Sequence, residues 1–487
     1  MAAFAETVET HTEQWLLDKA RELARIFAGA GYQLYLVGGP VRDQLLGRPV
    51  HDLDLTTDAT PDEIRRLAAR AHPDAMYDVG AKFGTIGLIF QRPRRQAPGL
   101  GREEGETEGA ERHTIEITTF RTEQYLDGTR KPAVAFGTSL EEDLARRDFT
   151  MNAIAKDLRT GEIYDPFHGT KDIAKRLIRA VGDPHERFRE DPLRLLRAVR
   201  FAAELGFTIE PATKEAIRAN APALERISRE RIQQELNRIL LSPRPAHGLR
   251  LATDLGLMQY AIPEVLPMRG VSQRPLHHKD VFEHTMGVIE NTPPDLVLRW
   301  AALLHDIGKP PTKSVHNGQV HFFGHEEVGE RMARRILTRL HFDRHFIDRV
   351  CKLVRMHLRV NAYDSEWTDS AVRRLIREAG EELDRLIQLS RADVTSYRTE
   401  RVRAAARRAD EFERRCRELL AQEDVAKLRS PLDGHELMAL FGKGPGPWIK
   451  PIKEYLLGLV LDGKLAQDDK ETAARLAREF AAEHGLA

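Results

Sequence analysis

His51-Asp52-Leu53-Asp54-Leu55-Thr56-Thr57 alternates polar and apolar residues, the period-two pattern of a strand with one buried face. On such a strand Asp52 and Asp54 project to one side while Leu53 and Leu55 turn to a core. Two like charges so close either share a proton or bind a cation. Upstream, Leu34-Tyr35-Leu36-Val37-Gly38-Gly39-Pro40 leads from an apolar strand through two glycines into a helix starting at Pro40. That corner lets backbone N–H groups approach a phosphate, and the helix dipole favours an anion there. Downstream, His113-Thr114-Ile115-Glu116-Ile117 also alternates, so Glu116 can line up beside the aspartates. Three carboxylates on neighbouring strands suit two magnesium ions roughly 3.5–4 Å apart in a phosphoryl-transfer site.

Short apolar runs over 34–37, 86–90 and 115–119 mix with helical stretches up to about residue 155, as in a small α/β domain. From Asn152 onward apolar residues recur at helical spacing, punctuated by Pro and Gly. The expected fold class is α+β: a mixed-sheet head over 1–150, a helical neck over 151–242, a helical body over 243–430 and a helical tail over 431–487. The stretch from Arg92 to Arg112, rich in Pro, Gly and charge, reads as a mobile insertion between two strands.

The 487 residues carry 75 basic and 75 acidic side chains, so any nucleic-acid contact has to come from local basic patches. The two cysteines, Cys351 and Cys416, lie far apart without metal-ligand spacing. This argues against a disulfide framework or a thiolate zinc site and for a cytoplasmic protein. The N-terminus lacks a basic start followed by an apolar run, and no window is apolar enough for a bilayer, so neither export nor a membrane segment is expected.

Glu190, Asp191, Arg194, Arg197 and Arg200 recur at helical spacing while Leu193, Leu196 and Phe201 can face a core. A salt-bridged exposed helix fits this pattern, and so does a cationic rail for a triphosphate. Further on come His284, His305-Asp306, His321, His325, His357 and Asp393, with Lys309 after the His-Asp pair. Imidazole and carboxylate together suit a divalent metal.

Taken in order, LVGGPVRD, HDLDLTT, EITTFR, EEDLARRDFTMNAIA, DPFHGTKDI and RFREDPLRLLRAVRF resemble the class II tRNA nucleotidyltransferases and the related bacterial poly(A) polymerases, over roughly Tyr32 to Leu236. The resemblance implies a polymerase-β-like head with Asp52, Asp54 and Glu116 as catalytic carboxylates holding Mg2+, a neck that takes CTP or ATP, and a body and tail that hold tRNA. It implies nucleotide binding by Gly38, Gly39, Arg42, Arg147, Asp148 and Asn152, with Arg147 at the triphosphate. Asp191 and Arg194 would read the base edge and Glu190 would orient that arginine, beside the rail that Arg194, Arg197 and Arg200 could form by their spacing. A carboxylate accepts from an exocyclic amine and a guanidinium donates to a ring acceptor, a combination that fits cytosine and adenine and rejects uracil and guanine. Ser228, Arg229 and Arg231 resemble a supporting neck motif.

Asp127, Arg130 and Lys131 resemble the loop with which CCA-adding and A-adding members switch specificity; products limited to CC or A, or a poly(A) tail, are the alternatives. His284, His305, Asp306 and Asp393 resemble the metal set of the HD phosphohydrolases. His325 and His357 would complete a second site, and a transition metal is the expected ion. An HD hydrolase with an RNA-binding N-terminal domain is the alternative of another class. Lys443, Lys450 and Lys453, around a Gly-Pro turn, are similar to the family's tRNA-gripping tail.

Overall fold

A computed structural model describes residues 2–50, 52–78, 84–92, 111–124, 133–136, 139–272, 280–317, 319–364, 366–394, 399–422 and 429–486. The chain divides into two compact units, Met1–Ile227 with Asp254–Tyr260, and Ser228–Thr253 with Ala261–Ala487. The expected head and most of the expected neck fall within the first.

The strands of the first unit's head are β1 (Leu34–Val37), β2 (Leu53–Thr57), β3 (Ala75–Asp78), β4 (Thr85–Arg92), β5 (Glu111–Thr119), β6 (Arg121–Gln124), β7 (Ala133–Phe136), β8 (Ala155–Asp157) and β9 (Ile163–Tyr164). Seven of them form one sheet in the order β3-β4-β5-β2-β1-β8-β9, and β6 pairs with β7. β2 and β5 run parallel, whereas β4 with β5 and β1 with β2 are antiparallel. The alternation read in the sequence sends Leu53, Leu55, Ile86, Leu88, Ile115 and Ile117 into the core.

The helix Ala2–Gly29 buries Leu16, Ala20, Leu23, Ala24 and Phe27, one stripe at helical spacing, against β1 and the helix Pro61–Ala68. That second helix starts at a capping box in which Thr60 and Glu63 satisfy each other's backbone N–H groups, with Pro61 at its first position. Such a cap contributes about 1 kcal/mol. The opposite sheet face is open around Asp54 and Tyr77 and closes further along, where the Thr56 hydroxyl donates to Asp143 of the helix Leu140–Ala145. Two further helices, Pro184–Glu190 and Leu193–Leu205, are separated at Asp191-Pro192, because Pro192 cannot donate and Asp191 Oδ1 accepts from the Leu193 N–H at 3.1 Å.

Among the described residues the second unit is mostly helical, with a short hairpin, Ser314–His316 with Gln319–His321. Its helix Leu296–Leu304 is buried almost all round, Trp300 included, and the helices Val281–Glu290, Arg344–Asn361 and Leu383–Asp393 pack against it. A separate hydrophobic cluster around Leu437, Ile452, Leu456, Ala473 and Ala477 gathers the C-terminal helices. Cys351 and Cys416 are buried and free. Among the described residues no helix is long and apolar enough to cross a membrane.

Candidate functional site

Asp54 and Glu116 are register partners on the parallel strands β2 and β5, so both side chains stand on the open face. Asp52, just before β2, is exposed, and Glu116 is half-buried. Desolvation by its surroundings pushes the Asp54 carboxyl above the usual range; the Arg147 guanidinium pulls it down and Asp52 pushes it further up. Glu116 is raised as well, by desolvation first and then by Asp54 and Asp52. A divalent cation relieves such an acidic row, and the all-oxygen donor set fits one. Among the described residues the three carboxylates do not form a group with all ligand atoms within 4.8 Å of one another, so they share a face without closing on one point.

Arg147 belongs to a buried framework behind them. Asp143, fully buried, pairs with Arg146 at 2.7 Å and Arg147 at 3.4 Å. Burial would raise its carboxyl, but Arg147 and Arg146 hold it below the usual range. Gly38 has φ 76°, and a Cβ there would meet Arg147 Nη1 at 2.9 Å, so the glycine serves both the turn and the approach of this guanidinium. Arg42 donates to Asn152 Oδ1 at 2.8 Å, Asn152 donates to Asp148 at 3.0 Å, and Asp148 pairs with Arg197 at 2.6 Å. Against the penalty of burial, Arg197 and Asn152 bring Asp148 down to about 2.

Arg194 donates to Glu190 at 2.8 Å and to the carbonyls of Arg187 and Arg146 at 3.2 and 2.8 Å, which pins its guanidinium. Arg200 is 2% exposed, lies 4.3 Å over the Phe201 ring and approaches Glu204 at 3.7 Å. Each three-residue step turns a side chain about 60° around a helix, so Arg194 and Arg200 leave the helix about 120° apart. Ser228 stands at the N-cap position of the helix Arg229–Leu241, which carries Arg229 and Arg231, without a side-chain capping bond. Asp127, Arg130 and Lys131, and all but the ends of the stretch 92–112, lie outside the described residues.

In the second unit His284, His305, Asp306, His325, His357 and Asp393 converge. Asp306 Oδ2 lies 3.2 Å from His305 Nε2, 3.4 Å from His284 Nε2 and 2.6 Å from Lys309 Nζ. Its Oδ1 lies 3.6 and 3.7 Å from Nε2 of His325 and His357. One carboxylate therefore faces two triads, His284 with His305 and Asp393 on one side and, counting itself, His325 with His357 on the other.

Nδ1 of His305, His325 and His357 contacts the carbonyl of Ala302, Phe322 and Val354 at 2.8, 2.7 and 2.7 Å. A carbonyl only accepts, so each Nδ1 carries the proton and each Nε2 turns to the cluster. Burial opposes it, yet Asp306 and Asp393 push His305 up to about 10 while both carboxylates are held far below their usual range. Burial, with His305 beside it, brings His357 down to about 4. Fixed imidazoles around carboxylates that demand positive charge fit a divalent metal. His321 stands apart from both triads, on the hairpin, its ring stacked on Phe323 at 5.0 Å.

Sequence reasoning missed Asp143, although its placement three and four residues before Arg146 and Arg147 on a helix was a usable signal. It also missed Asn361, which donates to Asp393 at 3.1 Å and accepts from Ser390 at 2.7 Å. No local pattern marks that residue.

Fold and site define a polymerase-type head joined to a helical HD unit. The chain matches the family models described as "Poly A polymerase head domain" over residues 34–179, "Probable RNA and SrmB- binding site of polymerase A" over 206–268 and "HD domain" over 281–398. It is 47% identical over 231 residues to a CCA-adding enzyme of Geobacillus thermodenitrificans, a match covering 47% of this chain and 51%, about half, of that relative's length. It is 30% identical over 450 residues to the CCA-adding enzyme of Geobacillus sp. (strain WCH70), covering 92% and 93% of the two chains. The crystal structure of the Bacillus stearothermophilus CCA-adding enzyme in complex with CTP is similar with a TM-score of 0.66 at 30% identity, over 96% of this chain and 99% of that one. The chain belongs to the family of CCA-adding enzymes.

Proposed function

We propose that this chain is a template-independent tRNA nucleotidyltransferase, working in the cytoplasm, that builds CCA onto the tRNA 3′ end from CTP and ATP. What supports the reading is the pairing of Asp54 with Glu116 on an open sheet face beside Arg147, a cation site next to an anion site. Asp52, Asp54 and Glu116 hold Mg2+, which when bound supplies activation of the attacking hydroxyl and stabilisation of the leaving group. The RNA 3′ oxygen forms a bond to the α-phosphorus, the bond from that phosphorus to the bridging oxygen of the β-phosphate breaks, and pyrophosphate and the hydroxyl proton leave. Arg147, braced by Asp143, holds the triphosphate with Arg42 and the backbone of Gly38 and Gly39. Asp191 accepts from the exocyclic amine, and Arg194, fixed by Glu190, donates to the base edge. Asp148, Asn152 and Arg197 frame the pocket, and Lys443, Lys450 and Lys453 meet tRNA phosphates.

Transcripts ending at the discriminator base, at C and at CC, given CTP and ATP separately and together, test this directly. Sequenced products should carry CCA, CA and A additions. A alone, CC alone or a run of A identifies the corresponding alternative, and no addition to any transcript sinks the reading. Replacing Asp191 with Ala removes an acceptor worth on the order of 1–3 kcal/mol of discrimination, so UTP and GTP incorporation should rise about tenfold or more relative to CTP and ATP. Unchanged fidelity would refute the templating role.

The convergence of His284, His305, Asp306, His325, His357 and Asp393 favours a second, accessory activity, a metal-dependent phosphatase or phosphodiesterase. Its mixed nitrogen and oxygen ligands suit nickel, manganese, cobalt or iron.

A further inference from the structure

Tyr77 stands in the same row of the sheet as the head carboxylates. Asp54 pairs with Glu116 across β2 and β5, Glu116 with Gly87 across β5 and β4, and Gly87 with Tyr77 across β4 and β3. Residues directly opposite one another share a face, and neighbouring strands lie about 4.8 Å apart. The glycine between them is what lets the ring reach inward. A Cβ at position 87 would sit under 3 Å from Cζ, Cε1 and Cε2 of Tyr77, so the ring occupies the space over Gly87 on the side of Glu116. Glycine inside a strand weakens it and marks a close approach, here that of an aromatic face.

Tyr77 is 39% exposed, on an edge strand whose four residues are all exposed. Among the described residues neither its hydroxyl nor its ring has a hydrogen-bonding or stacking partner. It is therefore a partly exposed aromatic surface over Gly87, in the same sheet row as Glu116, with no stacking partner among the described residues.

We propose that Tyr77 is the platform on which the 3′-terminal base of the acceptor RNA stacks while its hydroxyl meets the carboxylates, an inference that rests on the nucleotidyl-transfer reading. Single-stranded RNA ends are gripped by stacking on aromatic side chains, and stacking is tolerant of base identity because every base has a π-face. An acceptor that ends first in the discriminator base and then in C needs that tolerance. The incoming nucleotide has the opposite requirement, which Asp191 and Arg194 serve through directional hydrogen bonds.

The test uses the full chain, a transcript ending in CC, and the same transcript with its terminal base removed, each titrated against a fixed excess of ATP and the reverse. Tyr77→Ala should raise KM for the RNA about tenfold and leave KM for ATP unchanged. Tyr77→Phe, which keeps the ring, should restore the RNA value. Gly87→Ala, whose Cβ evicts the ring without deleting it, should behave like Tyr77→Ala. On the abasic transcript parent and Tyr77→Ala should be equal. The proposal is overturned by an unchanged RNA KM in Tyr77→Ala, by an equal loss on the abasic transcript, or by a rise confined to the KM for ATP. A parent chain that adds nothing to any transcript overturns the transfer reading itself, a failure seen before any variant is compared.

Discussion

Asp54→Ala should reduce nucleotide addition by on the order of a thousandfold or more while the protein stays folded and still binds tRNA. The carboxylate is on the open face, exposed and in register with Glu116, so its removal opens no cavity in the core. What it removes is a ligand to the cation that neutralises charge as the phosphoryl group transfers. A loss of about 4 kcal/mol of transition-state stabilisation corresponds to that factor. Single-turnover incorporation of labelled CTP measures the rate, circular dichroism the fold and gel retardation the tRNA affinity. A folded variant that keeps more than a few per cent of the parent rate removes Asp54 from the metal site.

Asp306→Ala should empty both metal positions of the second unit with one substitution. Oδ2 faces His284 and His305 and Oδ1 faces His325 and His357, so neither triad keeps its shared anion. His325→Ala should spare the triad of His284, His305 and Asp393. Metal content after loading with manganese and desalting, read by mass spectrometry, should fall to near zero for Asp306→Ala and by about half for His325→Ala. Equal content in the two variants contradicts a shared carboxylate. Nucleotide addition should survive in Asp306→Ala, because the head carboxylates belong to the other compact unit. A variant folded by circular dichroism that nevertheless loses addition contradicts the separation of the two centres.

Much of the head was legible because strand alternation is a local property. The pattern in HDLDLTT and HTIEITTFR put Asp52, Asp54 and Glu116 outward before any pairing was known, and the pairing then set Asp54 opposite Glu116. The residues of the HD cluster were legible by chemical type. Where each ligand points was not, since the double use of Asp306 depends on four helices meeting. The burial of Arg200 against Phe201 was not legible, because charge at helical spacing looks like an exposed face. Asp143 was hidden in an ordinary acidic run, and Tyr77 acquires meaning only from the register of β3 on β4.

The parallel pairing of β2 and β5 also bears on how the protein comes to fold. Thr56 and Thr118, a register pair two positions further along these strands, are 62 residues apart in sequence. The carboxylate row is thus a non-local contact, though less so than the pairing of β1 with β8, and forms only after the intervening crossover has closed. The Pro- and Gly-rich stretch 93–110 lies within that crossover. Closure entropy grows with only the logarithm of loop length, roughly 0.6 kcal/mol per doubling, so this segment can lengthen or shorten at small cost to stability. Variation there bears on how soon the head assembles during synthesis far more than on the shape it finally takes.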